Sequence, residues 1–429
     1  MLQKPSANVP RHLFREFAAT LAGEGIALAS SVVSFVVLVL IIPKGEYGEY
    51  AGILGITTSI GALAWQALPM VVLEFTARSP DHWRSHLSYA WFLLAVSFPL
   101  CLACTALLTR LMIPSARLWI ALVVVTGDLS LWLTHSIAAS RQATTGPRLA
   151  AKVRSLVAVV RAMGLIIGAL VAPRLDVVVI ASTATSWTAA LWMIKRTAGV
   201  GISRPSRGYF KSVLSYQVGG SAVSIQEEID KTFVLRISGE NPAASYAAVF
   251  RIFQVLALPL RALAGTLHTR LVVKQGSGKE AIRQLLRVST VTTLYGCAGW
   301  LALTLLSGPL TSALPDRFGT DRRLFVVLGA ILPLRGLVPH AANLLVGFGL
   351  RTQRAVAQFS GCVVAIGLYV TLIPRQGSLG AAIASLIAEA TVLSLLWGFL
   401  IVLGGDRPRH SSKGSRRRRP AKHRRGTAD

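Results

Sequence analysis

The chain has 429 residues, 53% of them hydrophobic and only 15% charged, a balance too apolar for a water-soluble protein of this length. Its formal net charge of +27 would suit a nucleic-acid binder, but the Lys and Arg residues are distributed by loop, so nucleic acid is not expected as a partner. The four cysteines offer no metal or redox site: Cys101 and Cys104 lack a second Cys or His pair nearby, Cys297 and Cys362 stand alone, and all read as small packing residues.

Twelve apolar segments are each long enough to cross a hydrocarbon core of about 30 Å, which needs roughly 20 residues. They fall near 17–42, 51–77, 87–109, 118–139, 149–172 and 176–194, then 210–237, 243–269, 284–306, 324–349, 355–373 and 378–403. The first is too long for a signal peptide and reads as an uncleaved span. Lys and Arg concentrate on the side of the carboxy-terminal tail, even with the Arg416 to Arg419 run set aside, so both termini are expected to be cytoplasmic in a multi-pass cell (inner or plasma) membrane protein. The tail, 404–429, carries ten Lys and Arg and is expected to be disordered and to lie on anionic membrane lipids. No exterior loop is long enough for the catalytic acid of a membrane glycosyltransferase or polymerase, so no enzymatic activity is expected.

The second half repeats features of the first in order. Gly-Glu-Tyr-Gly-Glu-Tyr-Ala at 45–51 is matched by Gly-Glu-Asn-Pro-Ala-Ala-Ser-Tyr-Ala at 239–247, and Ala-Leu-Pro at 67–69 by Ala-Leu-Pro at 257–259. Pro173-Arg174 before Ala181-Ser182 is matched by Pro374-Arg375 before Ala384-Ser385. A parallel duplication of six plus six spans follows. The predicted organisation is a cytoplasmic segment 1–16, an N-lobe 17–194, a linker 195–209, a C-lobe 210–403 and the tail 404–429. The fold class is an all-α polytopic membrane protein of about twelve transmembrane helices in two halves of six.

Charges deep in spans are costly and mark candidate sites. The central cations are Arg161 in span 5, Arg251 and Arg261 in span 8 and Arg335 in span 10. Arginine suits a phosphate because its planar fork makes two parallel hydrogen bonds and stays charged at low dielectric. Leu-Pro-Leu-Arg occurs at 258–261 and again at 332–335, placing a helix-bending proline beside an arginine each time. In span 4, Asp128, Trp132 and His135 share one helix face, where a carboxylate and an imidazole can relay a proton. Glu389 in span 12 is a further candidate for proton or sodium coupling. In span 7, Glu227 and Lys231 are spaced to close on each other, which leaves Asp230 for a contact with Arg251 and Glu228 without a role. Glu24, Glu74 and Arg236 lie nearer helix ends, where they can reach the interface.

Several of these stretches carry a family likeness. Pro43 to Ala51, Ile229-Asp230-Lys231, Ser245 to Ala248 followed by Arg251, Gly349 to Arg354, and Leu379 to Ala384 together resemble the polysaccharide flippase branch of the multidrug, oligosaccharidyl-lipid and polysaccharide exporter superfamily. Lys231 stands where that family more often has Arg. The resemblance implies two six-helix lobes around a central cavity, alternating access and export of a lipid-linked glycan for cell-surface polysaccharide assembly, with glycan-assembly enzymes as possible partners. It implies no cofactor or metal. Alternatives are a cation-coupled drug exporter of the same fold and a non-transporting scaffold that acts through the basic tail.

Overall fold

The computed structural model describes residues 11–197, 199–273, 278–314, 321–348 and 350–404; the side chains at 11–21, 24, 147, 261–285, 347, 351 and 403–404 lie outside the description. The amino-terminal residues 1–10 and the basic tail beyond 404 also fall outside it. Helices account for nearly all described residues, in the order α1 (Arg11–Ile41), α2 (Lys44–Trp65), α3 (Leu68–Arg78), a short 3₁₀ turn (Pro80–His82), α4 (Trp83–Met112), α5 (Leu118–Thr145), α6 (Pro147–Val171) and α7 (Leu175–Lys195). There follow α8 (Arg207–Ser238), α9 (Glu240–Val273), α10 (Gly278–Leu305), α11 (Ser307–Ala313), α12 (Arg322–Gly329), α13 (Ile331–Gly347) and α14 (Arg351–Gly404).

All twelve expected spans have helical counterparts. Span 2 is α2 with α3, span 10 is α12 with α13, and spans 11 and 12 are the two arms of α14. At 54 residues, α14 would measure about 81 Å if straight, far more than a bilayer. It folds back at Gly377, whose φ of 57° and ψ of −138° suit glycine. The arms then lie close, with Gly380 against the backbone of Leu372. Nine candidate spans among the described residues meet the length and hydropathy of a membrane crossing, with both arms of α14 in one. Helix α8 is not among them; it carries Glu227, Glu228, Asp230 and Lys231 together with Ser, Gln and Gly residues along its length.

The two Ala-Leu-Pro strings behave differently. Pro69 lies at the second position of α3, where span 2 is interrupted, whereas Pro259 sits inside the continuous α9. The interruption exposes backbone groups that lipid cannot satisfy. Gln217 of α8 takes them up, accepting from the Ala67 N–H at 3.0 Å and donating to the Ala62 carbonyl.

Helices α1 to α7 pack mainly on one another, as do α8 to α14, and the two groups meet chiefly where α2 lies along α8 and α9. Small residues permit that approach. Thr232 Oγ1 donates to the Gly52 carbonyl at 2.8 Å, and at Gly55 a Cβ would come within 2.6 Å of the Glu228 carbonyl. At Gly48 it would meet the Glu240 carbonyl at 2.1 Å. The start of α2 is fixed by its acids: Glu49 accepts from Arg117 Nη2 and from the Arg117 N–H, both at 3.0 Å, and Glu46 accepts from the Leu175 N–H. The hydrogen bond that Arg117 donates to Glu49 raises the Arg117 pKa and keeps this clamp charged.

Replacing Gly48 with Val is expected to destabilise the protein by about 1–3 kcal/mol through overpacking. Gly25→Val is the control, since nothing lies within 4 Å of a Cβ there. Thermal unfolding of the purified variants in detergent checks the difference.

Candidate functional site

Six helices enclose a cavity of about 350 Å³ between the two groups. Helix α2 contributes Tyr47 and Tyr50, one turn apart; α5 contributes Asp128, Trp132 and His135; α6 contributes Arg161; α8 contributes Glu228 and Lys231; α9 contributes Arg251; and α1 supplies an apolar and hydroxyl wall that includes Ser31 and Phe35. A second recess of about 250 Å³ between α1, α8 and α9 shares Ser31, Phe35, Glu228 and Arg251 with the first. Arg251 therefore faces both spaces.

The shared face expected for Asp128, Trp132 and His135 is present, and all three line the cavity. Trp132 and His135 meet edge to face at 5.7 Å. Asp128 is 7% exposed and its Oδ1 lies 3.7 Å from Arg161 Nη2. Its Oδ2 has no hydrogen-bond partner among the described residues. Arg161 lines the cavity with Tyr50 of α2 as well as with Asp128 of α5.

The charges on α8 pair differently from their spacing. Glu227 and Lys231 do not close through the carboxylate: Lys231 Nζ donates to the Glu227 main-chain carbonyl at 2.8 Å, to Glu228 Oε2 at 3.0 Å and to Asp230 Oδ1 at 3.2 Å. The Glu227 carboxylate instead lies 2.9 Å from Arg335 Nη1 on α13. A guanidinium from a neighbouring helix competes well for it, because Lys231 already has two nearer carboxylates. Asp230 does not reach Arg251 either. It accepts the Tyr246 hydroxyl at 2.6 Å and the Lys231 N–H at 2.7 Å, and is fully buried.

The expected set of four phosphate-facing arginines is not assembled. Arg161 and Arg251 line the cavity, but Arg335 does not. It sits between Glu227 and Glu389, the latter at 3.7 Å, with Phe253 5.1 Å from its guanidinium carbon. Glu389 in turn accepts from Gln226 Nε2 at 3.2 Å, which places it in this second cluster and away from the cavity lining. The Arg261 side chain lies outside the described residues.

Arg251 is held without an ion pair. Its Nη1 donates to Gln254 Oε1 at 3.0 Å, and Gln254 Nε2 donates to Glu228 Oε1 at 3.2 Å; no carboxylate pairs with it among the described residues. Among the described residues the cavity lining thus holds three cations, Arg161, Lys231 and Arg251, against two carboxylates, Asp128 and Glu228. The surplus is one positive charge. Sequence reasoning missed Glu228, Gln254, Tyr47 and Tyr50. Their signal is a spacing of three residues, Glu228 to Lys231, Arg251 to Gln254 and Tyr47 to Tyr50, each pair sharing a helix face.

Replacing Arg335 with Ala removes the guanidinium that faces both Glu227 and Glu389 and is expected to destabilise by about 3–5 kcal/mol. Arg251→Ala removes no ion pair and is expected to stay within about 1 kcal/mol of the parent. Denaturant unfolding in detergent micelles, followed by tryptophan fluorescence, separates the two.

No family model and no curated protein matches the sequence. Solved structures do match. An outward-facing multidrug resistance MATE family transporter of the MOP superfamily is 14% identical, with a TM-score of 0.64, and the match covers 91% of this chain and 96% of that one. An inward-facing form is 15% identical with a TM-score of 0.62, covering 90% and 95%. A MATE protein in complex with MaD5 is 14% identical with a TM-score of 0.63, covering 91% and 96%. The chain has the fold of the MATE transporters of the MOP superfamily, over nearly its whole length.

Proposed function

We propose that the protein is a transporter that moves an anionic, lipid-linked glycan from the cytoplasmic to the exterior leaflet by alternating access. The observation that carries this reading is Arg251, a guanidinium that faces both cavity spaces and has Gln254 and, among the described residues, no carboxylate as its partner. An uncompensated cation in a low-dielectric cavity lowers its energy by binding an anion, and a phosphate or pyrophosphate matches its two-pronged geometry. Trp132, His135, Tyr47 and Tyr50 give the sugar head group aromatic and hydrogen-bonding surface. The recess between α1 and α9 gives the lipid tail a route along the bilayer while the head group crosses. With both termini in the cytoplasm, the clamp of Glu46, Glu49 and Arg117 lies at the exterior end. Asp128, with its unpartnered oxygen, and His135 are the candidates for coupling to a proton or sodium gradient, and glycan-assembly enzymes are the partners in keeping with such a substrate.

The fold also supports a second reading. Proteins of this fold include multidrug transporters, as the similar structures are described, so an amphipathic cation is the competing cargo. The positive surplus of the lining weighs against it, because a cationic drug would meet Arg251 and Lys231 without a free acid to receive it.

Arg251→Ala is expected to slow translocation about ten- to a hundredfold, the worth of one charge-assisted hydrogen-bonded contact. The measurement is leaflet exposure of a lipid-linked oligosaccharide in proteoliposomes holding equal amounts of folded protein. Undiminished transport by the variant would remove Arg251 from the mechanism and the anionic reading with it.

A further inference from the structure

Lys231 is more enclosed than either arginine of the cavity needs to be. Its side chain is 5% exposed, against 29% for Arg161, although both border the same space. Around Nζ stand the Glu227 carbonyl at 2.8 Å, Glu228 Oε2 at 3.0 Å and Asp230 Oδ1 at 3.2 Å. The Phe250 ring covers another side, its centroid 3.9 Å away. One main-chain carbonyl, two carboxylates and an aromatic face are what a monovalent organic or inorganic cation seeks in a membrane interior.

We propose that this shell is a cation pocket opening on the cavity, filled by the chain's own ammonium group, and that this occupancy selects anionic over cationic ligands. The carboxylates bear this out by their division of labour. Glu228 gives Oε2 to Lys231 and Oε1 to Gln254, and Gln254 is the residue that holds Arg251. Asp128 is already opposite Arg161. Only while Lys231 is in place is Glu228 neutralised without the help of Arg251.

Without the ammonium, two changes act in one direction. The lining loses its positive surplus, and Asp230 behind it loses one of its three donors. Glu228 then becomes the nearest acid to Arg251, one amide away. The cavity is left with an acidic pocket beside an aromatic ring, and Arg251 is drawn from the substrate toward Glu228. Lys231 is on this account the residue that sets ligand sign. The anionic half rests on the proposed function; the cationic half does not.

The test uses the full-length protein in nanodiscs with two probes, ethidium as an amphipathic cation and farnesyl pyrophosphate as an anionic lipid. Lys231→Met, which keeps the apolar stem, is expected to bind ethidium at least about tenfold more tightly than the parent, the scale of one unpaired carboxylate under partial screening. Lys231→Arg should retain the parental pattern. Glu228→Gln, which leaves the pocket short of one acid, should bind farnesyl pyrophosphate more tightly and gain nothing for ethidium. No gain of ethidium binding by a folded Lys231→Met variant overturns the proposal. If that variant does not fold, unchanged probe binding by Glu228→Gln overturns it. Absence of farnesyl pyrophosphate binding in the parent would instead refute the anionic substrate, and the ethidium comparison would still decide the role of Lys231.

Discussion

Charge in a bilayer must be neutralised where it lies, and the interior of this protein is arranged around that requirement. Helix α8 carries Glu227, Glu228, Asp230 and Lys231 within five residues, a load that on insertion scales costs roughly 2.5–3.5 kcal/mol per residue at mid-membrane. The four charges are shared out in three directions. Glu227 turns to Arg335 on α13, Asp230 to Tyr246 on α9, and Glu228 to Lys231 and Gln254. Lys231 gathers the acids that remain. Once these pairs and that of Asp128 with Arg161 are made, Arg251 is the cavity cation left over, and the functional reading follows from that remainder.

The same helix also joins the two halves. Glycines at 48, 52 and 55 let α2 approach α8 and α9 closely, a small-residue interface of the kind that membrane helices use when burial of apolar surface offers no gain. The opposite seam, between α1 and α9, is occupied by the recess that Arg251 enters. One seam is therefore closed along its length and the other is hollow. The alternating access proposed above would use this asymmetry, the sealed seam holding the halves in register and the hollow one opening and closing. The structures of this fold include outward-facing and inward-facing forms.

Most of the fold was legible because hydropathy and span length are one-dimensional signals. Twelve segments could be placed, and the turn after Pro374 that reverses α14 coincided with an expected boundary. Arg161, Arg251 and Asp128 were found by depth and His135 by the helix face it shares with Asp128, and they do share a cavity. Partner choice was not legible. Spacing favoured Glu227 with Lys231, but which side of α8 faces α13 depends on tertiary packing, and Arg335 sits there. The same ignorance grouped Arg335 with the cavity arginines, because two carboxylates from different helices had not yet been brought to it. Gln217 escaped notice too, since an amide that mends a broken neighbouring helix looks in sequence like any other polar residue in a span.

The central claim is that a phosphate-bearing head group is received by Arg251 in the space between α1 and α9. A structure of the protein in nanodiscs with farnesyl pyrophosphate bound tests it most directly. Phosphate density within hydrogen-bonding distance of the Arg251 guanidinium, about 3 Å, with the isoprenoid leaving between α1 and α9, is the expected result. Phosphate density seated at Arg335 between α8 and α13, or a ligand that leaves Arg251 bonded only to Gln254, would contradict it.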